Sequence, residues 1–557
     1  MSEYLMLNTT ECSHCYKCIR NCPVKAIRFS QNQATIIEQE CILCGRCFVA
    51  CPQKAKSIRD NRDDIIALLE SGQKVVVSLA PSFIGNFPGV GIEGMKIALK
   101  ELGFWDVQET AVGASVVKKR YDEMVNNEEK NVVISSCCAS VNMLIQKHFP
   151  AALPYTASIL SPMLAHGTLI KKTDPDAAVV FIGPCISKKE EAAQYPGIID
   201  GVLTFGELEH WLRDKGITLP QLEKAHSGIR TRLFPIAGGV LRTMEKSNPK
   251  YTYMSIDGVE ECMTALEDII NGDISYCFIE MSACRGSCIG GPSMERDHGL
   301  VRHYAMVDIS AGEAEPQSCE LSNQDLIKYI PFQPIAYPRF SQSAIDEVLL
   351  KIGKSTPEDE LNCGCCGYDT CRKKAEAVLA GKADLSMCLP YLMSRAQSFS
   401  DTIIQNMPNG IVVVDDDLCI QQINTTALRL MNVNSEKDVL GRNVVCLMNP
   451  EPFIQAQESG EIQHERKLYM AEYNIYVMLS VICDTQLGLC IGLIRDITQI
   501  EREQHIKKVI NEQTIAVADR VIENQMKTVQ EIASLLGETT AETKIALTKL
   551  KETLNDE

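Results

Sequence analysis

Within its first 60 residues the chain uses one cysteine pattern twice. Residues 12–23 read CSHCYKCIRNCP and residues 41–52 read CILCGRCFVACP. Cys12, Cys15, Cys18 and Cys22 are therefore repeated as Cys41, Cys44, Cys47 and Cys51, each run closed by a proline. Thiols at C-x2-C-x2-C-x3-C-P spacing point to metal, either iron–sulfur clusters or, as the plainer alternative, a pair of zinc knuckles. The rest of the chain supports metal over disulfides. The start, MSEYLMLNTTECSHC, lacks the basic segment and apolar core of a signal peptide, and no run of 18 or more apolar residues exists. A cytoplasmic protein is expected, in which 25 cysteines are explained by ligation. A net charge of -17 with no sustained basic stripe argues against nucleic-acid and membrane-surface partners. A length of 557 residues predicts three to five domains.

Residues 1–60 resemble the bacterial ferredoxins that hold two 4Fe-4S clusters. The resemblance implies that one cluster takes Cys12, Cys15, Cys18 and Cys51, and the other Cys41, Cys44, Cys47 and Cys22. Residues 61–345 read as an α/β domain, in which apolar runs alternate with helical patterns. Four runs end in unusual chemistry: KVVVSLAPS (74–82), NVVISSCC (131–138), AAVVFIGPC (177–185) and ISYCFIEMSAC (274–284). In an open α/β sheet, ligands sit outside the carboxyl ends of the strands. Ser82, Cys137, Cys138, Cys185, Cys284 and Cys288 are thus expected to converge on one crevice. Cys284 and Cys288 are four apart, the spacing of one helix face, which suits shared ligation better than a disulfide.

Residues 346–392 carry Cys363, Cys366, Cys371 and Cys388 as C-x2-C-x4-C-x16-C. This set resembles the small 4Fe-4S domains of electron-transfer and corrinoid proteins and implies a further cluster, with Cys365 as a non-ligand. Residues 393–500 resemble a PAS domain: helix, strand, turn and strand, a helix opened by Asn424, and a last strand ending in DIT. There Cys446 reads as an ordinary core thiol and His464 as a surface residue. In residues 501–557, Ile515, Ile522, Val529, Ile532 and Leu536 predict a coiled-coil or amphipathic helix. Gly537 is expected to end it, with a second helix capped by the following Thr and Glu. No phosphoacceptor histidine with kinase nucleotide boxes follows.

Three separated segments, SSCCAS, GPCISKKEEA and EMSACRGSCIGG, resemble in order the signature segments of FeFe-hydrogenases, across about residues 70–300. The resemblance implies an H-cluster, a 4Fe-4S cubane joined to a diiron subcluster with CO, cyanide and azadithiolate. Its ligands would be Cys138, Cys185, Cys284 and the bridging Cys288, with three further 4Fe-4S clusters elsewhere in the chain. It also implies that Lys188 and Ser82 donate to iron-bound cyanides and that Cys137 passes a proton. The family's proton relay falls, by ungapped alignment, on Val117, Ala157 and Arg120, which cannot carry it. Two methionines of the family's pocket are replaced by Gly183 and Ser282, and the residues after the first cysteine pair are Ala139 and Val141. Sixteen ligand cysteines and Cys137 leave eight in ordinary positions.

The expected fold class is multidomain α/β and α+β. It comprises a ferredoxin-like module (1–60), an H-cluster domain (61–345), a small 4Fe-4S domain (346–392), a PAS domain (393–500) and a C-terminal helical segment (501–557). The resemblance implies a sensory, low-turnover FeFe-hydrogenase, acting on H2 and protons, with a redox partner such as ferredoxin. A kinase or phosphatase partner and a homodimer are also expected. The alternatives are a catalytic ferredoxin-linked hydrogenase and a non-enzymatic iron–sulfur assembly protein or redox sensor on the same fold.

Overall fold

The structure is a computed structural model describing residues 4–30, 33–224, 226, 228–297, 299–314, 320–459, 463–484 and 487–555. It divides into two compact units, residues 1–392 and 393–557. Among the described residues no helix is long and apolar enough to cross a membrane.

The first unit begins with two antiparallel strand pairs, β1 (Leu5–Leu7) with β4 (Lys56–Ile58) and β2 (Ile27–Ser30) with β3 (Gln33–Ile36). The repeat is visible in the backbone. Tyr16 (φ 56°) and Gly45 (φ 74°) each turn left-handed before a four-residue helix, Lys17–Arg20 or Arg46–Val49. Gly45 has a second reason to be glycine, since a Cβ there would lie 2.4 Å from Pro292 Cβ. The second copy is thereby pressed against the glycine-rich turn of the next domain.

That domain contains two parallel sheets where the sequence suggested one crevice in one open sheet. One has the order β6 (Asp106–Glu109), β5 (Val75–Leu79), β8 (Ala178–Gly183), β9 (Gly201–Thr204). The other has the order β10 (Thr252–Asp257), β11 (Cys277–Ser282), β7 (Val132–Ile134). β5, β7 and β8 are buried along their whole length, as continuous apolar runs covered on both faces should be. The first sheet lies in one apolar core, while the second shares its core with the N-terminal module. A later segment straps back over the domain: Ile327 bridges Ile159, and the Lys328 amide donates to Ser158 O.

The small cysteine-rich segment packs on the N-terminal module. Arg20 Nη1 donates to Cys365 O (3.0 Å), Lys382 pairs with Glu40 (2.6 Å), and a Cβ at Gly367 would lie 2.8 Å from Ile19.

The second unit holds a five-stranded antiparallel sheet, β12 (Gly410–Asp415), β13 (Ile420–Ile423), β14 (Gln463–Met470), β15 (Ile475–Asp484) and β16 (Leu489–Asp496), ordered β13-β12-β16-β15-β14. Asn424 caps the helix Thr425–Leu430, its side chain accepting from Ala427 N, as its sequence predicts. Cys446 differs from expectation: it is exposed at the end of a short 3-10 turn. Two cysteines counted as ordinary, Cys483 and Cys490, are joined as a disulfide. The side chain of His464 lies outside the described residues. The final helix runs unbroken from Thr498 to Asn555. Gly537 does not end it, because no left-handed residue or proline interrupts the surrounding helix formers.

Candidate functional site

β5, β7, β8 and β11 each hand the chain to a chemically distinctive segment at the carboxyl end. Ala80-Pro81-Ser82 follows β5, and Ser135 to Cys138 follow β7. Pro184-Cys185 follows β8, and Cys284 to Cys288 follow β11. Ser82, Cys137, Cys138, Cys185, Lys188 and Cys288 line a single cavity of about 90 Å³ between the two sheets. Cys284 is not on its wall, but Cys185, Cys138 and Cys288 are its near electrostatic neighbours. The segment holding Cys284 and Cys288 is not the helix face expected. Gly286 (φ 77°) and Ser287 (φ 64°) turn left-handed and lead into a 3-10 turn, Ser287–Gly290. A Cβ at Gly286 would meet Leu300 at 2.6 Å.

Burial raises Cys185, takes Cys288 up to about 12 and lifts Cys284 well above its ordinary value, and neighbouring thiols oppose their ionisation further. Clustered thiols of this kind become thiolates only beside a strong positive charge, which bound iron supplies. The cavity carries a second mark of fit. Ser82 is fully buried, lines the wall, and its hydroxyl has no partner. Such a donor suits an acceptor atom on a bound group.

Lys188 Nζ donates to Cys137 O (3.1 Å) and Glu191 Oε2 (2.5 Å). Lys328 Nζ, brought by the strap, donates to the other oxygen of Glu191 (2.5 Å), and Ser161 Oγ donates to Oε2 (2.8 Å). This clamp outweighs burial and holds Glu191 down to about 2. Burial pushes Cys137 up to about 12, and its Sγ lies 3.3 Å from Tyr121 OH, which also accepts from Ser136 N (2.9 Å). Burial lifts Glu280, on the cavity wall, to about 7.

Sequence reading missed Tyr121, Glu191, Lys328 and Glu280. The charged pair in SKKEEA was the one available signal for Glu191. Val117 and Ala157 are fully buried, and Arg120 is tied to Glu129 by two 2.7 Å bonds. Gly183 has a local cause: a Cβ would lie 2.7 Å from the Phe181 ring, which fills that wall. Ser282 faces the cavity and bonds Ser287 Oγ (2.9 Å).

Cys12, Cys15, Cys18 and Cys51 line one small cavity of the N-terminal module. Cys22, Cys41 and Cys47 are the electrostatic neighbours of Cys44, which is itself near Cys284. Cys363, Cys366, Cys371 and Cys388 line a third cavity, where exposed Cys365 joins them. Buried Tyr368 has both Cys366 and Cys22 among its neighbours. The thiol groups thus form a succession: small segment, Cys22–Cys44 group, inter-sheet cavity.

Residues 73–292 match the family described as iron only hydrogenase large subunit, C-terminal domain. Residues 11–61 match a 4Fe-4S dicluster domain, 359–390 an iron–sulfur cluster family and 398–475 the PAS fold. The NADP-reducing hydrogenase subunit HndD of Solidesulfovibrio fructosivorans is 25% identical over 365 residues, covering 53% of this chain and 58% of its own. The periplasmic [Fe] hydrogenase large subunit of Nitratidesulfovibrio vulgaris is 25% identical over 259 residues, covering 35% and 61%. Cytosolic iron-sulfur assembly component 3 of Mus musculus is 24% identical over 271 residues, covering 36% and 57%. The chain spans about three-fifths of the length of these relatives. The solved FeFe-hydrogenase HydA1 of Chlamydomonas reinhardtii overlays half of this chain at 16% identity and a TM-score of 0.40. The chain thus joins a domain of the iron only hydrogenase large-subunit type to a 4Fe-4S dicluster module ahead of it and a PAS fold behind it, which makes it a hydrogenase-like iron–sulfur protein with a PAS domain.

Proposed function

We propose that this protein is a sensory FeFe-hydrogenase of low turnover. The reading rests on one observation: Ser82 with its unpartnered hydroxyl, the Lys188 ammonium and the Cys137 thiol share a cavity with Cys138, Cys185 and Cys288. Cys138, Cys185, Cys284 and Cys288 would hold the H-cluster, which supplies the iron site where H2 is converted to two protons and two electrons. The chain's own residues do the rest. Ser82 Oγ and Lys188 Nζ orient polar ligands on the bound group, while Glu191 and Lys328 fix the lysine. Phe181 and Met281 supply apolar wall to the cavity. Cys137 keeps a proton on Sγ, and Tyr121 positions that thiol.

Onward proton traffic is poor because buried Val117 and Ala157 offer no titratable group. Slow exchange suits reporting H2 more than producing it. Three further 4Fe-4S clusters, on the cysteine sets named above, would carry electrons along the succession of thiol groups, and a ferredoxin-type partner would exchange them. The PAS domain and last helix would form a homodimer and address a kinase or phosphatase in the cytoplasm.

The test is the infrared spectrum of anaerobically matured protein with and without H2. Iron-bound CO and cyanide bands that move under H2 support the reading. Their absence despite confirmed maturation overturns it and leaves an iron–sulfur assembly or redox protein.

A further inference from the structure

Apart from Cys483 and Cys490, every described cysteine is a free thiol, and many stand where iron–sulfur ligation requires a reducing environment. A disulfide in that company needs a role of its own. The two residues face each other directly in the β15–β16 ladder, with Cα atoms 4.1 Å apart. The ladder runs from Val477↔Asp496 to Asp484↔Leu489, so strand register is set without the sulfur bond. A bridge between residues only seven apart adds little constraint to a hairpin already closed. Stapling therefore does not account for it. The reduced hairpin keeps its ladder, and both redox states can be folded.

The two sulfurs differ in access. Cys490 is 1% exposed in the core of the PAS sheet, on the central strand β16, paired with Val414 on one side and Cys483 on the other. Cys483 is half-buried at the core's margin. Attack by an external thiolate is therefore directed to Cys483.

We propose that Cys483–Cys490 is a reversible two-electron redox site, through which the PAS unit exchanges electrons with dithiol or small-thiol reductants independently of any hydrogenase chemistry. One thiolate of a dithiol attacks Cys483 Sγ. The Cys483–Cys490 bond breaks, and Cys490 leaves with the bonding pair and takes up a proton. The reductant's second thiol then attacks its own sulfur in the mixed disulfide and releases Cys483 as a thiol. The sum is one disulfide and one dithiol giving two protein thiols and one oxidised reductant, with two electrons and two protons transferred. Sulfurs freed of their bond must separate to van der Waals contact, so reduction repacks the side chains around buried Cys490 while the β15–β16 ladder stays paired. β16 leads within two residues into the helix Thr498–Asn555, the element best placed to transmit such a change.

The sequence provides a direct readout. No Lys or Arg lies between Leu468 and Ile494, and that stretch contains no other cysteine, so one tryptic peptide reports both thiols. The full-length holoprotein is equilibrated anaerobically in glutathione buffers stepped from oxidised to reduced. It is then alkylated, reduced, and alkylated again with a heavy reagent. Both cysteines should move together from heavy to light label, with the half-point inside the series. In Cys490→Ser, glutathione should remain on Cys483, whereas Cys483→Ser should leave Cys490 unmodified. A pair that is light throughout, heavy throughout, or glutathionylated at Cys490 overturns the proposal. The wild-type titration decides it even if a variant fails to fold. It is also independent of the infrared result, so failure of one reading is not failure of the other.

Discussion

A buried hydroxyl without a partner costs a folded protein about 1–3 kcal/mol, and the Ser82 hydroxyl finds none among the protein's own described groups. Ser82→Ala should leave the unfolding free energy of the metal-free protein unchanged or raise it by up to about that amount. In the matured protein the same change should shift a cyanide band in the infrared. A loss of stability without a band shift would make Ser82 a structural residue. Ser82, Lys188 and the cysteines were legible because each stands in a short motif with fixed spacing. Tyr121 was not, because its bond to Cys137 spans 16 residues and exists only once the helix Ala111–Asn126 brings its ring against Phe278 of β11. Glu280 reads as a polar interruption of an apolar strand. Only the fold shows the backbone amide of Leu241 facing it at 3.2 Å.

At the scale of elements, apolar runs ending in Ser82 or in cysteine disclosed β5, β7, β8 and β11 but not their division into two sheets. Pairing partners come from distant segments, and β7 is too short to state its neighbour. The strap was also hidden, although it places Lys328 beside Glu191. Glu191→Gln should leave Lys188 and Lys328 poorly compensated in the interior and destabilise the metal-free protein by about 3–5 kcal/mol, measurable by denaturant melts. The sign with pH follows from Glu191 sitting near 2 when folded, against an ordinary value of 4.5. Its contribution is full above about pH 4.5 and is lost as pH falls towards about 2, so the variant's acid limb should be flatter. At the other end of the chain, Gly537 distinguishes a continuous helix from two helices. Gly537→Ala should raise helicity and stability by about 0.5–1 kcal/mol, whereas at a left-handed stop it would lower both.

For the whole molecule, the last helix presents Ile515, Ile522, Val529 and Leu536 at intervals of seven, each more than half exposed. Such a row in a 58-residue helix fits the seam of a coiled coil, which the proposed homodimer would use. Light scattering should find a dimer, and Ile522→Glu with Val529→Glu should convert it to a monomer with its visible cluster absorption unchanged. A dimer surviving both changes would move the interface elsewhere.

The crossed cysteines of the N-terminal module have one more consequence. The cavity holding Cys12, Cys15 and Cys18 is closed by Cys51 from the second run, and Cys22 from the first run stands with Cys41 and Cys44. On the proposed ligation, each half of the repeat would be fastened by the other half's cluster, like two clasps sharing one strap. Stoichiometric iron and sulfide should fill both positions in a single all-or-none step, leaving no lasting half-loaded species in mass spectra of the intact protein.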